Sequence, residues 1–190
     1  MDKPSIILVE PEIPENTGFT ARLAANYRYS LRIVSPEFNL KQARKTAKNS
    51  QEKLRNAKIF SNVKEAVEDL EYVAGTKPGR GQPLENFEPK QNTSLMIGRE
   101  SSGLTNKELE LCDTVLHLNV PGYSSLNQSH ATAILLHSLS TADKKEGMEE
   151  KQKQKIQELA PKNIAEKLVD ANPSKNQAGK IIEELIQRKE

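Results

Sequence analysis

Apolar residues along this chain come in short continuous runs, spaced by polar stretches with helical periodicity. The run SIILV at 5–9 predicts a strand buried on both faces, and LRIV at 31–34, KIF at 58–60, YVAG at 72–75, SLMIG at 94–98 and residues 114–118 predict five more. Helical patterns occupy 18–27, 41–54, 63–70, 105–112 and 127–140. The second of these helices is polar and basic with few apolar anchors, which puts it on the surface. In the fourth, Thr105 stands at capping-box spacing from Glu108. Residues 77–92 are rich in Pro and Gly and predict a loop. Strands alternating with helices in short units give an α/β fold: a mainly parallel sheet with helices on both faces. Ligands of such sheets collect where strands end, so the loops after Glu10, Gly98 and Leu118 are where chemistry is expected.

Beyond residue 142 the pattern changes. Residues 143–190 hold 11 basic and 10 acidic side chains and no aromatic, whereas all eight aromatics of the chain fall at or before Tyr123. Apolar residues persist there only as helical stripes: Ile156 with Leu159, Ile164 with Leu168, and Ile181, Ile182, Leu185 and Ile186. Pro161 suits a first helical turn, and Ser174 is placed to cap a helix restarted after Asn172 and Pro173. The predicted division is a catalytic-type domain over 1–142 and a charged linker with a helical extension over 143–190. In 190 residues there is one cysteine, so an internal disulfide or a cysteine-based zinc site is excluded and a reducing, cytoplasmic setting is expected. No apolar run is long enough to cross a bilayer, and the polar start MDKPS does not read as a signal peptide.

Charge alters this picture more than composition does. The net charge is only +2, yet residues 22–58 carry ten Lys or Arg against Glu37 and Glu52, a local excess of +8. The flanking segments 1–21 and 59–142 are both acidic. A basic stretch in a nearly neutral chain reads as a polyanion-binding face or, equally, as a solubilising helix face.

Three clusters carry candidate chemistry, each where a predicted strand ends. In NTGFTAR at 16–22, Asn16 and Gly18 are turn and helix-start residues, and Arg22 follows about one turn in. In GRESSGL at 98–104, Gly98 and Gly103 bracket Glu100 and let backbone approach a ligand closely. This is neither a Walker loop nor GxGxxG. In VPGYSSLN at 120–127, small residues offer amides and hydroxyls, and Asn127 both donates and accepts. His130 reads as an ordinary helix residue and Cys112 as core.

Together these clusters resemble the SpoU/TrmH-type RNA ribose methyltransferases of the SPOUT class. Three motifs appear in the family's order: Asn16/Gly18/Arg22, Gly98/Glu100/Gly103/Leu104 and Ser125/Leu126/Asn127. The likeness covers roughly residues 4–140 and is strongest to the TrmJ-like branch. It departs in three places: Lys77 and Pro78 replace the small or Arg-containing residues expected after Gly75 and Thr76, the loop LNVPG at 118–122 looks shorter than the family's, and the extension from Asp143 is short and idiosyncratic.

The resemblance implies a C-terminal trefoil knot, which no periodicity reveals, with loops 98–104 and 118–126 holding S-adenosylmethionine. It implies cofactor contacts from Gly75, Thr76, Lys77, Gly98, Glu100, Gly103, Leu118, Val120, Pro121, Ser124, Ser125 and Leu126. The residues it implies for catalysis are Arg22, Asn16, Glu100, Ser125 and Asn127, with no metal. The RNA would lie on Arg22, Arg28, Lys41, Arg44, Lys45, Lys48 and Arg55. The implied enzyme is a homodimer with its site at the subunit interface, Arg22 serving its own or the neighbouring chain's cofactor. Its implied reaction is methyl transfer to a ribose 2′-hydroxyl of tRNA at the start of the anticodon loop, the nucleotide 32 type. Another tRNA or rRNA ribose, or a catalytically silent RNA-binding module of the same fold, are the alternatives.

Overall fold

The computed structural model describes residues 4–122, 126–142, 149–170 and 175–187. Strand β1 (Ser5–Val9) is buried along its whole length, with β2 (Ser30–Val34) and β6 (Thr93–Ile97) flanking it, both parallel to it, and a hydrophobic cluster on each face of the sheet. With β3 (Lys58–Phe60), β4 (Tyr72–Thr76), β5 (Gln82–Pro83) and β7 (Thr114–His117), the sheet runs β3-β2-β1-β6-β4-β7-β5, every pairing parallel. The chain builds outward from β1 to β3, crosses over, and returns to insert β6 beside β1. Neighbouring strands that lead away in opposite directions leave a crevice where they end, here between the exits of β1 and β6.

Alternation within the strands divides the core between two faces. Ile6, Leu8, Leu31, Ile33, Leu95, Ile97 and Leu116 point to one side. There they meet α1 (Pro14–Asn26), α2 (Arg44–Ala47), α3 (Gln51–Arg55) and α6 (Gln128–Ala142) through Ala21, Ala24, Ala43, Ala47, Leu54 and Leu135. Ile7, Val9, Val34, Val73 and Met96 point to the other side, onto α4 (Val63–Val67) and α5 (Asn106–Leu109). The described chain forms two compact units, Met1–Leu139 and Ser140–Glu190. The second contains α7 (Glu150–Leu159), α8 (Lys162–Asp170) and α9 (Lys175–Gln187) around Ile156, Ala160, Ala165 and Ala178, with Leu168, Ile181, Ile182 and Leu185 packed against them.

Several expectations are corrected by tertiary contacts. The first helix begins at Pro14, not at 18, since Pro tolerates a first turn whose N–H groups have no helical partner. Gly18 is therefore inside α1. A Cβ there would stand 2.0 Å from Thr46 Oγ1 and 2.3 Å from Ala43 O, so the glycine permits close contact between α1 and the α2 segment. The basic helix expected over 41–54 is broken at Lys48, whose φ is 47°, and its anchors are the fully buried Ala43 and Ala47 as well as Leu54. Helices 63–70 and 105–112 shorten to α4 and α5, the latter closed by the predicted Thr105–Glu108 capping box. The loop 77–92 contains the edge strand β5, where Pro83 needs no ladder N–H. In the extension, Pro161 precedes α8, and Ile164 and Ile186 are exposed rather than part of the stripe. Ser174 lies outside the described residues.

Arg32 is counted in the basic stretch but does not belong to a basic surface. It is 3% exposed, bonded to Asp69, Ala66 O and Ser5 Oγ, with its guanidinium 5.6 Å from the centre of the Phe60 ring. The Arg32 hydrogen bonds hold the Asp69 carboxyl below its ordinary value. No described helix is long and apolar enough to cross a membrane.

Candidate active site

The crevice between β1 and β6 is closed by side chains from all three sequence clusters. Glu100 accepts hydrogen bonds from the backbone N–H groups of Glu12 (2.9 Å) and Ile13 (3.4 Å), just before α1, and from Asn16 Nδ2 (3.1 Å). Asn16, 4% exposed, accepts in turn from Asn127 Nδ2 at 2.9 Å. Asn127 Oδ1 then caps α6 by accepting from the N–H and hydroxyl of Ser129 and the N–H of His130. Glu12 returns the contact: its carboxylate accepts from Ser101 N (2.9 Å) and Ser101 Oγ (2.6 Å), which holds its pKa below the ordinary value. Residues 84 and 111 positions apart are thereby joined in one chain of hydrogen bonds.

Arg99, beside Glu100, fastens the same loop from behind. It meets Glu108 through both terminal nitrogens (2.9 and 3.1 Å), Glu10 through Nε (2.6 Å) and Gly103 O (3.3 Å). Glu108 is a strong anchor because its carboxylate also accepts from Thr105 N at 2.7 Å. Burial works against charge on Glu108, but the bonds from Arg99 and Thr105 outweigh it and hold the pKa below its ordinary value. The Glu108 hydrogen bonds, followed by those of Glu10, raise the pKa of Arg99 beyond its already high value despite burial. Gly98 and Gly103 serve this loop and not only a ligand. A Cβ on Gly98 would lie 2.2 Å from the Gly103 carbonyl carbon, and Gly103 has φ +69°.

Beside this clasp, the exits of β4, β6 and β7 surround a cavity of about 260 Å³. Ile97, Leu116, Ala131 and Leu135 give it an apolar floor. Of the expected cofactor residues, Thr76, Lys77, Gly98, Glu100, Gly103, Leu118 and Leu126 line it, while Gly75, Val120 and Pro121 do not. Gly75 is small for packing: a Cβ would stand 2.5 Å from Cys112 Sγ. The Cys112 thiol is pushed up to about 12 by burial and is inert, as expected of core. Ser124 and Ser125 lie outside the described residues. Two polar atoms at the cavity, Gln128 Oε1 and His117 Nδ1, are buried without a partner among the described residues. The other end of the Gln128 amide is fixed, donating from Nε2 to Gly98 O at 2.9 Å.

Arg22 stands eight residues into α1, about two turns and ~12 Å beyond Pro14, and so further from the crevice than its sequence position suggested. It does not line the cavity, and its side chain makes no hydrogen bond or ion pair among the described residues. Arg28, Lys41, Arg44, Lys45, Lys48 and Arg55 are all exposed. Sequence reasoning missed Glu12, Arg99, His117 and Gln128. A polar residue ending an apolar strand, as His117 does, and a cation beside a motif carboxylate, as Arg99 is, were the available signals.

Comparison with known proteins places this geometry. The model of the SpoU rRNA Methylase family matches residues 3–137. The tRNA (cytidine-2′-O-)-methyltransferase TrmJ of Methanocaldococcus jannaschii is 33% identical over 154 residues, 72% of this chain and 67% of that one. The chain spans between 60% and 68% of the length of the curated relatives it matches. Among solved structures, TrmJ from Z. mobilis ZM4 superposes with a TM-score of 0.66 at 23% identity, covering 97% of this chain and 98% of that one. The Streptomyces viridochromogenes SpoU methyltransferase AviRb, in complex with the cofactor AdoMet, gives 0.66 at 23% identity over 75% and 61%.

Proposed function

The chain belongs to the SpoU rRNA methylase family, and from that premise we propose that it transfers the methyl group of S-adenosylmethionine to a ribose 2′-hydroxyl of tRNA, at nucleotide 32 of the anticodon loop. The observation that carries this reading is the hydrogen-bonded convergence of Asn16, Glu100 and Asn127 at the rim of a cavity lined by the 98–103 loop. The cavity residues fit the cofactor. Their apolar floor suits an adenine face, and Gln128 Oε1 and His117 Nδ1 await the donor and acceptor groups of its edge. We assign the loop 98–104 and the described ends of 118–126 to the family's knot.

When bound, the cofactor supplies a methyl group already activated on a sulfonium, so the displacement needs no metal. The chain's own work is alignment and charge stabilisation. Asn16, Glu100 and Asn127 hold the ends of β1, β6 and α6 in register, as positioning residues. Arg22 faces the ribose oxygen as negative charge develops on it. A guanidinium keeps its proton at neutral pH, so its part is electrostatic, and a phosphate or water takes the proton. Because Arg22 does not line the cavity of its own subunit, we assign the working unit to a homodimer in which Arg22 serves the partner's cofactor. The exposed cations of 28–55 grip the RNA backbone, in the cytoplasm.

The test is direct. The protein is incubated with S-adenosylmethionine and unmodified tRNA, and the product is mapped by nuclease digestion and mass spectrometry. One 2′-O-methyl group at nucleotide 32 is expected. A methyl group at another ribose replaces the target, and the absence of any methylated ribose overturns the activity.

A further inference from the structure

The cavity carries an imbalance of charge that the methyl-donor reading alone does not use. Among its described lining residues, the lysine and arginine side chains are Lys77 and Arg99. Arg99 is fully engaged, bound to two carboxylates at 2.6–3.1 Å. Lys77 is different. Its Nζ donates to a neutral acceptor, Leu104 O, at 2.7 Å, and no described carboxylate lies within ion-pair distance of it. An ammonium has three donors, of which this bond takes one. A half-buried cation without an anion has lost hydration and gained no compensating charge, so it favours the arrival of an anionic group.

The stem of Lys77 is held in place for that role. Its backbone N–H donates to Leu116 O at 3.0 Å, and Thr76 Oγ1 bonds Met96 O at 3.2 Å, so the end of β4 is tied to both neighbours. The reach to Leu104 brings the ammonium to the far end of the glycine loop from Glu100. Glu100 also lines the cavity, and its hydrogen bonds come from neutral N–H groups rather than from a cation. One cavity thus holds a hydrogen-bonded carboxylate without a cation beside it near the β1 side and an ammonium without an anion at the β4 exit. A ligand with a zwitterionic amino-acid tail has a preferred orientation in that field.

Resting on the methyl-donor reading, we infer that Lys77 recognises the α-carboxylate of the cofactor's amino-acid tail and so selects an adenosyl ligand that carries one. The residue is a specificity determinant for the ligand and takes no part in the transfer itself. Leu104 O is its resting partner, retained or exchanged as the carboxylate binds.

Calorimetry at neutral pH with two ligands separates this from a structural role. S-adenosylhomocysteine has the amino-acid tail, and 5′-methylthioadenosine has the same nucleoside without it. In the wild type, S-adenosylhomocysteine binds the more tightly. Lys77→Met, which keeps the stem and removes the charge, raises its Kd about tenfold, about 1.4 kcal/mol, and leaves the Kd of 5′-methylthioadenosine within about twofold. Lys77→Arg restores most of the difference, and an unchanged thermal melt shows that the Met variant is folded. Equal weakening of both ligands makes Lys77 a brace for Leu104 and overturns the assignment, as does a Met variant that binds both as the wild type does. A wild type that binds neither ligand overturns the methyl-donor reading and this inference with it.

Discussion

Two polar regions lie side by side at the carboxyl ends of the sheet, and they are built on opposite principles. In the clasp between β1 and β6, every polar group discussed has a partner: Asn16 with Glu100 and Asn127, Glu12 with Ser101, Arg99 with Glu10 and Glu108. In the cavity at the exits of β4, β6 and β7, Gln128 Oε1 and His117 Nδ1 lack a partner among the described residues and Lys77 lacks an anion. A satisfied network is rigid and specifies one arrangement. An unsatisfied one costs stability, and is retained where a ligand completes it. The first region is the frame and the second is the receptor.

The sharpest break concerns a residue in neither region. Arg22→Ala is expected to lower kcat by roughly 10²–10³-fold, the cost of removing a transition-state charge stabiliser, while S-adenosylhomocysteine binds as before. Turnover near the wild-type rate removes Arg22 from the mechanism. Frame and receptor are separated by a second pair. Asn16→Ala leaves Glu100 and Asn127 each short of a bond and should cost about 2 kcal/mol, a fall in melting temperature of about 4–8 °C for a unit of this size. His117→Phe removes two ring nitrogens, neither of which hydrogen-bonds a described residue, so its melting temperature should move by less than about 2 °C while donor affinity weakens. If Asn16→Ala leaves stability intact, the distinction between the two regions fails.

A third experiment extends the contrast to the basic stretch. Neutralising Arg44, Lys45 and Lys48 together should raise the RNA Kd about tenfold and reduce the slope of log K against log salt by about 2. Arg32, from the same stretch of sequence, is enclosed by Asp69, Ala66 and Ser5. Its loss should destabilise the fold without altering that slope. An unchanged slope in the triple variant moves the RNA to another face.

These experiments also mark what the chain disclosed before it was folded. Buried strands were legible because β1 and β6 are covered on both sides and read as unbroken apolar runs. The Thr105–Glu108 cap was legible because its whole geometry lies within four residues. Asn16, Glu100 and Asn127 were legible as motif members, but their bonds to one another depend on strand order, which no local window contains. Gly18 looked like a turn residue, and only the approach of Thr46 reveals it as a helix contact. The 41–54 helix read as having few apolar anchors, yet Ala43 and Ala47 are fully buried because α1 comes so near. Arg32 illustrates the same limit for charge: a cation counts toward a surface only if its partner, here Asp69, lies elsewhere.

Acid should weaken the frame through Glu108, and the Arg32–Asp69 pair with it. Glu108 and Asp69 both have pKa values held below their ordinary 4.5 and 3.8 in the folded protein. The unfolded chain therefore takes up protons on these groups more readily. Their contribution to stability is complete above the ordinary values and is lost as pH falls below about 4.5 toward the folded values. The melting temperature should be insensitive to these two groups between about pH 5 and 7. Glu108→Gln isolates one of the two contributions, because glutamine can still close the capping box with Thr105 but presents no charge to Arg99. Its cost at neutral pH should be about 1–2 kcal/mol. As the wild-type carboxylate protonates below its ordinary value, that difference should shrink. A gap between wild type and variant that stays constant across this range would mean that the Arg99–Glu108 charge adds nothing, and that shape alone holds the loop beneath Glu100.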